Sequence, residues 1–244
     1  MKIEHLGNGV VVFRELVHKS KIDVSLIEKT CPPQGFENRD GKFYSEGGHE
    51  YDPNINGLDY PVRFAENIEN LDFTNLLMDA IYDAAVNYCK IFPSVIECIT
   101  EHKQCHYIKY STNASIGTHS DCSASYKNNS IDVLSSVAIN NTVSTSILLN
   151  DDFEGGRFEF PILGVELELQ AGDGIIFPSN FIGCHGIQKV TSGTRWAFLS
   201  FFAHARNDFS TLSERNSKND WLKKFREDVN SGNYGQKIVG IGSI

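Results

Sequence analysis

Three side chains with the chemistry of metal ligands occur in the second half of the sequence. His119 and Asp121 form a His-x-Asp pair, and His185 follows far along the chain. Alternate residues of a β-strand share one face, so we expect the pair on one side of a strand and His185 on another. Two imidazoles and one carboxylate on one side of a metal leave the other side open, as in non-haem Fe(II) oxygenases. The triplet therefore predicts an oxygen-activating iron site.

Arg195 is a candidate for binding a carboxylate beside that site. It follows His185 by ten residues and opens the hydrophobic run 196–202. A guanidinium is costly to bury unless it is paired, and a dicarboxylate cosubstrate would pair with it through two parallel hydrogen bonds. We therefore group Arg195 with the three metal ligands as catalytic. The plainer alternatives are a surface histidine at His119, a core histidine at His185 and a strand-end arginine at Arg195.

The composition is that of a soluble globular chain. Of 244 residues, 41% are hydrophobic and 22% are charged, which fits one domain. The net charge of -9 argues against nucleic acid as a partner, because phosphate binding needs clustered cations. The charged N-terminal residues and their short apolar run predict neither a secretory signal nor a membrane span. Its six cysteines lack the spacing of a disulfide framework, so we expect a cytoplasmic protein with reduced thiols.

Residues 1–98 are expected to form an N-terminal region of helices and loops that packs on the core. Helices are predicted over residues 23–30 and 72–91, the second from apolar residues at intervals of three and four. Asp72 is its expected N-cap, and Pro93 its stop. Residues 37–61 have no clear period and predict a long loop, which is either a lid or a passive surface segment.

Residues 99–206 carry short β-type runs and are expected to form the core. Predicted strands cover residues 106–110, 144–149, 157–160, 165–169, 174–177 and 196–203, with glycine-containing turns between them. This pattern is typical of a jelly roll, and helices on one outer face would complete an α+β domain. Residues 207–244 form a C-terminal extension of the same domain, with a helix predicted over residues 219–229.

The core motifs resemble those of the 2-oxoglutarate- and Fe(II)-dependent dioxygenases, specifically the prolyl 4-hydroxylases. These enzymes carry a tyrosine nine residues before the His-x-Asp pair, which is the position of Tyr110. They then have Leu-Asn, an acidic turn and Gly-Gly-x-x-x-Phe-Pro, as in residues 149–161. A strand that begins with glycine comes next, as in residues 172–177, and the second histidine follows it, as in His185. About ten residues later these enzymes have a lysine or arginine followed by tryptophan, as in Arg195 and Trp196. The resemblance covers residues 107–204.

The resemblance implies a double-stranded β-helix (jelly roll, cupin-like) with Fe(II) on His119, Asp121 and His185. The cosubstrate 2-oxoglutarate would bind the metal through its 2-oxo acid end. Its far carboxylate would meet Arg195 and the hydroxyl of Tyr110. The reaction would consume O2, release succinate and CO2 and hydroxylate the substrate, with ascorbate as a candidate reductant.

The expected partner is a peptide or protein substrate, with proline as the favoured target residue. Candidate substrate contacts are Arg39, Tyr44 and Tyr51 in the early loop, together with Trp196. Two alternatives to peptide hydroxylation stay open. One is the same chemistry on a free amino acid or other small molecule, and the other is a non-catalytic jelly-roll binding module.

Two positions depart from the prolyl 4-hydroxylase pattern. Ile116 stands three residues before His119, where those enzymes usually have an aromatic residue, and Leu148 stands where many have tyrosine. Neither position is one of the expected iron ligands, so the departures affect the expected substrate and leave the expected oxidation chemistry unchanged.

Two other groups of residues have simpler explanations. His102, Cys105 and His106 could suggest a zinc site, but no second ligand pair matches them, so structural roles are favoured. Tyr107 is expected to pack in the core, because it faces away from Tyr110 on a regular strand.

Overall fold

The computed structural model describes residues 2–31, 36–39, 42–45, 61–64, 70–102, 106–122, 124–126, 138–205 and 212–231. Tyr51 and Cys105 lie outside the described residues, and so do the side chains of Arg39 and Tyr44. In the described part of the chain, no helix has the length and apolar character needed to cross a membrane.

Strands dominate the described chain, and three α-helices accompany them. The elements in chain order are β1 (Lys2–Gly7), β2 (Val10–Arg14), α1 (Val24–Thr30), β3 (Phe36–Arg39), β4 (Lys42–Ser45), β5 (Val62–Phe64), α2 (Leu71–Ile91), β6 (Glu101–His102), β7 (His106–Tyr110), β8 (Ile116–His119), β9 (Ala124–Tyr126), β10 (Ala138–Leu148), β11 (Glu154–Gly155), β12 (Phe158–Phe160), β13 (Val165–Leu167), β14 (Gly174–Pro178), β15 (His185–Ile187), β16 (Val190–Ser192), β17 (Arg195–Ala205) and α3 (Leu212–Asn230).

Two antiparallel sheets form the body of the fold. Among the described residues, the larger sheet has the order β1-β2-β14-β10-β17-β7-β5, with β6 paired to β17 and β9 to β10. The smaller sheet has the order β13-β12-β15-β8. One apolar cluster joins residues of both sheets, including Ile108 and Ile175 from the larger and Phe160 and Ile187 from the smaller. Two antiparallel sheets that share a core fit the jelly roll expected from the sequence.

The side chains of β17 alternate between the two cores of the molecule. Ala197 belongs to the cluster shared by the two sheets, and Arg195 lines a cavity on the same face. Trp196 and Phe198 belong to the other cluster, which includes residues of α1, α2 and α3. Successive strand residues point to opposite faces, so a shift of one residue would exchange the two sets.

Helix α2 contacts the larger sheet through the apolar face expected from its periodicity. Phe73 stacks on Tyr107 with 6.2 Å between ring centres, and the Thr74 hydroxyl lies 2.7 Å from that of Tyr107. Tyr107 is fully buried, which confirms its expected place in the core. The hydroxyl of Tyr88 donates to the carbonyl oxygen of Gly9, so the helix also contacts the turn between the first two strands.

Helix α2 starts one residue before the predicted position, and its N-cap lies two residues before the predicted one. The N-cap is Asn70, and Asp72 lies within the first turn. A carboxylate is favourable there because the N-terminal end of a helix carries partial positive charge. The helix ends at Ile91 as predicted, and a short 3-10 helix follows over Pro93–Cys98.

The N-terminal region contributes strands that the sequence pattern did not predict. Strands β1 and β2 are joined by Asn8 and Gly9, both with positive φ (49° and 77°), as a two-residue hairpin turn of type I′ requires. Strand β2 pairs with β14, and Val10 to Phe13 are all 0% exposed. With both faces covered, the strand shows no alternation of polar and apolar residues.

Other elements are longer or more regular than expected. The predicted loop 37–61 overlaps the paired strands β3 and β4, so part of it is strand. Helix α3 begins at Leu212, seven residues before the predicted start. The predicted helix 23–30 is confirmed as α1, with the Asp23 side chain capping it by accepting from the Ser25 backbone N–H.

Candidate functional site

The three candidate metal ligands converge at one end of the smaller sheet. His119 is the last residue of β8, His185 is the first of β15, and the two are register partners. Their ligand atoms and a carboxylate oxygen of Asp121 all lie within 4.8 Å of one another. Asp121 lies beyond the end of β8, so the expected placement of both residues on one strand face was wrong. The carboxylate reaches the imidazoles from the loop instead.

Backbone carbonyls orient both imidazoles. The Nδ1 atom of His119 lies 2.9 Å from the carbonyl oxygen of Gly117, and that of His185 lies 3.0 Å from the carbonyl oxygen of Gly183. A histidine that donates from Nδ1 keeps the lone pair of Nε2 free for a metal. The two Nε2 atoms lie 3.4 and 3.8 Å from the carboxylate oxygens of Asp121. The imidazoles therefore already present the atoms that a metal would need.

A chain of hydroxyl groups holds the carboxylate of Asp121. Ser144 on β10 donates to Oδ2 at 2.7 Å, and its hydroxyl lies 2.8 Å from that of Ser179. The side-chain amide of Asn141 donates to the backbone carbonyl of Asp121. Hydrogen bonds of this kind fix the direction of a metal-binding carboxylate, so residues of the larger sheet position a ligand that follows the smaller one.

Burial and mutual contacts set the charges of the three ligands. Burial lowers the pKa of His185, which favours the neutral imidazole that a metal binds. Burial acts to raise the pKa of Asp121, but the hydrogen bond with His119 and the charge of His185 outweigh it and hold this pKa below its usual value. The hydrogen bond with Asp121 raises the pKa of His119. A carboxylate beside two imidazoles gives the donor set of a non-haem Fe(II) site, so these residues fit that metal.

The alternative zinc site receives no support from the histidines that would form it. The His102 ring stacks on Phe202 with 4.2 Å between centres, and its Nε2 lies 2.6 Å from the hydroxyl of Ser200. His106 instead lines the cavity that contains the three candidate metal ligands. Cys105 lies outside the described residues.

Arg195 and Tyr110 form a buried pair in the same cavity. They are register partners on β17 and β7, and they are only 2% and 3% exposed. The Arg195 guanidinium lies 5.2 Å from the centre of the Tyr110 ring. Its Nε atom is buried without a hydrogen-bond partner among the described residues, and burial lowers its pKa. A buried guanidinium in this situation is suited to an anionic ligand.

The hydroxyl of Tyr110 is held in its protonated form. Burial raises its pKa to about 12, although the charge of Arg195 acts in the opposite direction. A phenol that stays protonated can donate a hydrogen bond to the same anion that Arg195 attracts. The two side chains therefore offer charge and a hydrogen bond together.

One cavity of about 290 Å³ contains the three candidate metal ligands and the pair formed by Arg195 and Tyr110. Its walls include Ile116 and four polar or aromatic residues that the sequence analysis did not assign to a site: Arg63, His106, Ser144 and Phe201. His106 could have been found from the sequence, because it shares a strand face with Tyr110 on β7. Phe201 shares a face with Arg195 on β17 in the same way. Arg63 lies on a strand of only three residues, too short to show a pattern.

Trp196 does not reach this cavity. It lies on the opposite face of β17, where its ring contacts Phe64 with 5.2 Å between centres, and it is buried in the cluster shared with the helices. Its expected role as a substrate contact is therefore not supported, because adjacent strand residues face opposite ways. Leu148 lines a neighbouring cavity of about 480 Å³, which also includes Arg195.

The two antiparallel sheets share a core, and one cavity contains two imidazoles, one carboxylate and a buried arginine. This arrangement fits a jelly roll with the donor set of a non-haem iron site. The chain is similar to a prolyl hydroxylase from Trichoplax adhaerens, solved in complex with a hypoxia inducible factor oxygen degradation domain peptide fragment. The TM-score is 0.53 at 15% identity, over 80% of this chain and 84% of that one. This likeness shows that the chain has the prolyl hydroxylase fold.

Two other solved prolyl hydroxylases are also similar. The viral collagen prolyl hydroxylase of Paramecium Bursaria Chlorella virus-1 has a TM-score of 0.49 at 11% identity, over 82% of this chain and 98% of that one. The Pseudomonas putida prolyl-4-hydroxylase has a TM-score of 0.48 at 18% identity, over 81% and 93%. No protein-family model matches the sequence, and no curated protein matches it.

Proposed function

We propose that the chain is an Fe(II)- and 2-oxoglutarate-dependent dioxygenase that hydroxylates a peptide, with proline as the target residue. One observation carries the proposal: a single cavity holds two imidazoles, a carboxylate and a buried arginine. A metal alone would need the first three groups. The arginine adds the binding partner of a dicarboxylate, and 2-oxoglutarate is a dicarboxylate that also chelates metals.

Each residue has a defined part in this function. His119, Asp121 and His185 would hold Fe(II), which with O2 supplies the oxidising chemistry coupled to the decarboxylation of 2-oxoglutarate. Arg195 binds the far carboxylate, and Tyr110 donates a hydrogen bond to it. The His185 ring is enclosed by Phe158 and Phe177, with 5.0 and 4.5 Å between ring centres. Apolar walls of this kind limit the access of water to the reacting groups.

A peptide substrate is supported by the Trichoplax adhaerens enzyme, which has the same fold and was solved with a peptide fragment. Proline as the target rests on the motif resemblance described above. A second candidate is the same reaction on a free amino acid. It is favoured by Ile116, which lines the cavity where prolyl 4-hydroxylases usually have an aromatic residue.

The proposal is tested by coupled turnover. The protein is incubated with Fe(II), 2-oxoglutarate, O2 and ascorbate, together with either a panel of proline-rich peptides or a set of free amino acids. Succinate is quantified, and mass spectrometry detects the addition of one oxygen atom to each candidate substrate. We expect succinate to rise with a peptide that gains oxygen. Succinate formation without oxidation of any peptide would still support a 2-oxoglutarate-dependent dioxygenase but would contradict peptidyl proline as its target.

Two variants show whether the succinate comes from the proposed site. His119→Ala removes one iron ligand and should abolish turnover. His18→Ala removes a histidine that is exposed on an N-terminal turn and should retain it. Absence of succinate from the parent protein in every reaction, with iron shown to be bound, would overturn the assignment as a dioxygenase.

A further inference from the structure

Two polar side chains in the iron cavity have no part in the function proposed above. Arg63 on β5 is the register partner of Ile108 on β7, and His106 lies two residues before Ile108 on the same strand. Alternate residues share a strand face, and Arg63, Ile108 and His106 all line the cavity. Arg63 and His106 are therefore neighbours on one wall.

Arg63 is a cation without an anionic partner among the described residues. No ion pair of this side chain occurs there, although the chain carries a net charge of -9. Its charge contributes to the lowered pKa of His106 and opposes the raised pKa values of Tyr110 and His119, in each case as a lesser cause than burial or hydrogen bonding. The guanidinium is thus within electrostatic range of three cavity residues. It is also exposed, so a ligand that enters from solvent can reach it.

His106 offers an unused hydrogen-bonding atom on the same wall. Its Nε2 is buried and has no hydrogen-bond partner among the described residues. Burial, followed by the charge of Arg63, lowers its pKa to about 4, so the ring is neutral near pH 7. A buried polar atom without a partner is unfavourable, and a ligand in the cavity would relieve that cost.

The register separates these two residues from the arginine that would bind 2-oxoglutarate. Arg195 is opposite Tyr110, whereas Arg63 is joined through Ile108 to Ala197 in the next row. His106 is opposite Leu199, one row further along the strands. A dicarboxylate held by the metal and Arg195 would leave the wall of Arg63 and His106 available to a second ligand.

We propose that Arg63 binds a carboxylate of the substrate to be hydroxylated, while His106 makes a hydrogen bond to another polar atom of that substrate. The inference rests on the proposed dioxygenase function and names the substrate class: molecules with a carboxylate close to the carbon that is oxidised. The carboxylate belongs either to an acidic side chain beside a peptidyl proline or to the α-carboxylate of a free amino acid.

Binding of matched ligand pairs, which differ only in a carboxylate or an amide, tests the proposed preference for a carboxylate without measuring turnover. The protein is loaded with Mn(II), which takes the place of Fe(II), and with 2-oxoglutarate. Binding is measured by calorimetry for proline peptides with Asp or Glu beside the proline and for the same peptides with Asn or Gln. L-proline and L-prolinamide form a second pair. We expect the carboxylate member of at least one pair to bind about tenfold more tightly, since hydrogen bonds to charged groups are the stronger ones.

Variants then assign the preference to the two residues. Arg63→Gln should abolish the preference, so that the ratio of the two affinities falls to about 1. Arg63→Lys should keep part of the preference because the charge remains. His106→Phe should weaken both members of a pair alike and leave their ratio unchanged. Arg226→Gln, which removes an exposed arginine on α3, is the control and should keep the full preference. Thermal unfolding and 2-oxoglutarate affinity show whether each variant is folded and loaded.

The outcomes separate this inference from the proposed function. A preference confined to the peptide pairs, or to the proline pair, supports the inference and identifies the source of the carboxylate. The inference is overturned if no carboxylate member binds more tightly than its amide, or if the preference survives in Arg63→Gln. Failure of the parent protein to bind 2-oxoglutarate would instead contradict the dioxygenase function, and this is measured separately.

Discussion

Arg195 and Tyr110 face each other across neighbouring strands, with the guanidinium 5.2 Å from the centre of the phenol ring. The ring covers one side of the cation but does not neutralise it, because the aromatic face supplies only a partial negative charge. The pair is buried and lies in the same cavity as the three candidate metal ligands. Because the charge is already buried in the folded protein, the pair is suited to binding an anion.

Replacing Arg195 by alanine should reduce 2-oxoglutarate affinity by about 100-fold, because truncating one partner of a buried charge pair is strongly unfavourable. Mn(II) affinity without 2-oxoglutarate should change little, since no metal ligand is removed. Calorimetry with the metal-loaded protein measures both quantities. Arg157→Ala, which removes a half-exposed arginine paired with Glu166, is the control. Unchanged 2-oxoglutarate affinity in Arg195→Ala would contradict the assignment.

Gly156 should be required for the position of the Arg195 side chain. A Cβ atom at Gly156 would lie 3.0 Å from Cδ of Arg195 and 3.1 Å from the Phe153 ring, so Gly156→Ala should displace the arginine. We expect 2-oxoglutarate affinity to fall about tenfold or more. Gly164→Ala is a matched control, because Gly164 has a similar φ (+64° against +60°) but no atom within 4 Å of its Cβ position. Equal losses of affinity in the two variants would mean that backbone strain, and not contact with Arg195, is responsible.

The hydrogen bond from Ser144 should matter for metal affinity. Loss of the partner that orients a metal ligand typically costs a factor of about 10 to 100 in affinity, so Ser144→Ala should weaken Mn(II) binding by about tenfold. Ser146→Ala is the matched control, because Ser146 also lines the cavity from β10 but makes no hydrogen bond to a metal ligand among the described residues. Titration of each variant with Mn(II), followed by electron paramagnetic resonance, compares them. An equal effect of the two substitutions would rule out the orienting role.

The candidate iron ligands could be proposed from the sequence because binding iron requires particular residue types, and these occur here in a characteristic order. His119, Asp121, His185 and Arg195 were proposed from their types and order together with the motifs around them. The way in which Asp121 reaches the site was not predictable. It lies beyond the end of β8 and is held by Ser144 and Asn141, and such long-range partners leave no local pattern.

The face on which a strand residue lies could be predicted only where the face of another residue on the same strand was already assigned. Assigning Arg195 to the cavity implies that Trp196 faces the other way, so its expected role as a substrate contact conflicted with the alternation rule. Strand β2 was missed for a different reason. Its residues are buried on both sides, and a continuous apolar run of this length does not distinguish a strand from a buried helical segment. Its place beside β14 depends on pairing between residues far apart in sequence.

The stability of the protein should fall as the pH decreases from about 6.5 towards 4, partly because of His102. Burial lowers the pKa of His102 to about 4 from an ordinary value of 6.5. Between these values the unfolded chain binds a proton that the folded protein excludes, so unfolding is favoured as the pH falls. Each such group contributes a slope of up to about 1.4 kcal/mol per pH unit. Above about pH 6.5 both states are mostly neutral at this residue, and its contribution levels off.

Urea unfolding at several pH values in this range measures the effect. His102→Gln should lower the slope of unfolding free energy against pH, because one excluded proton is removed. Ser200→Ala is the informative control: it removes the hydroxyl 2.6 Å from Nε2 of His102 but keeps the buried imidazole. It should therefore lower stability at every pH while leaving the slope nearly unchanged. If His102→Gln and the parent protein lose stability equally between pH 6.5 and 4, His102 is not responsible, and His106, whose pKa burial also lowers to about 4, becomes the residue to replace.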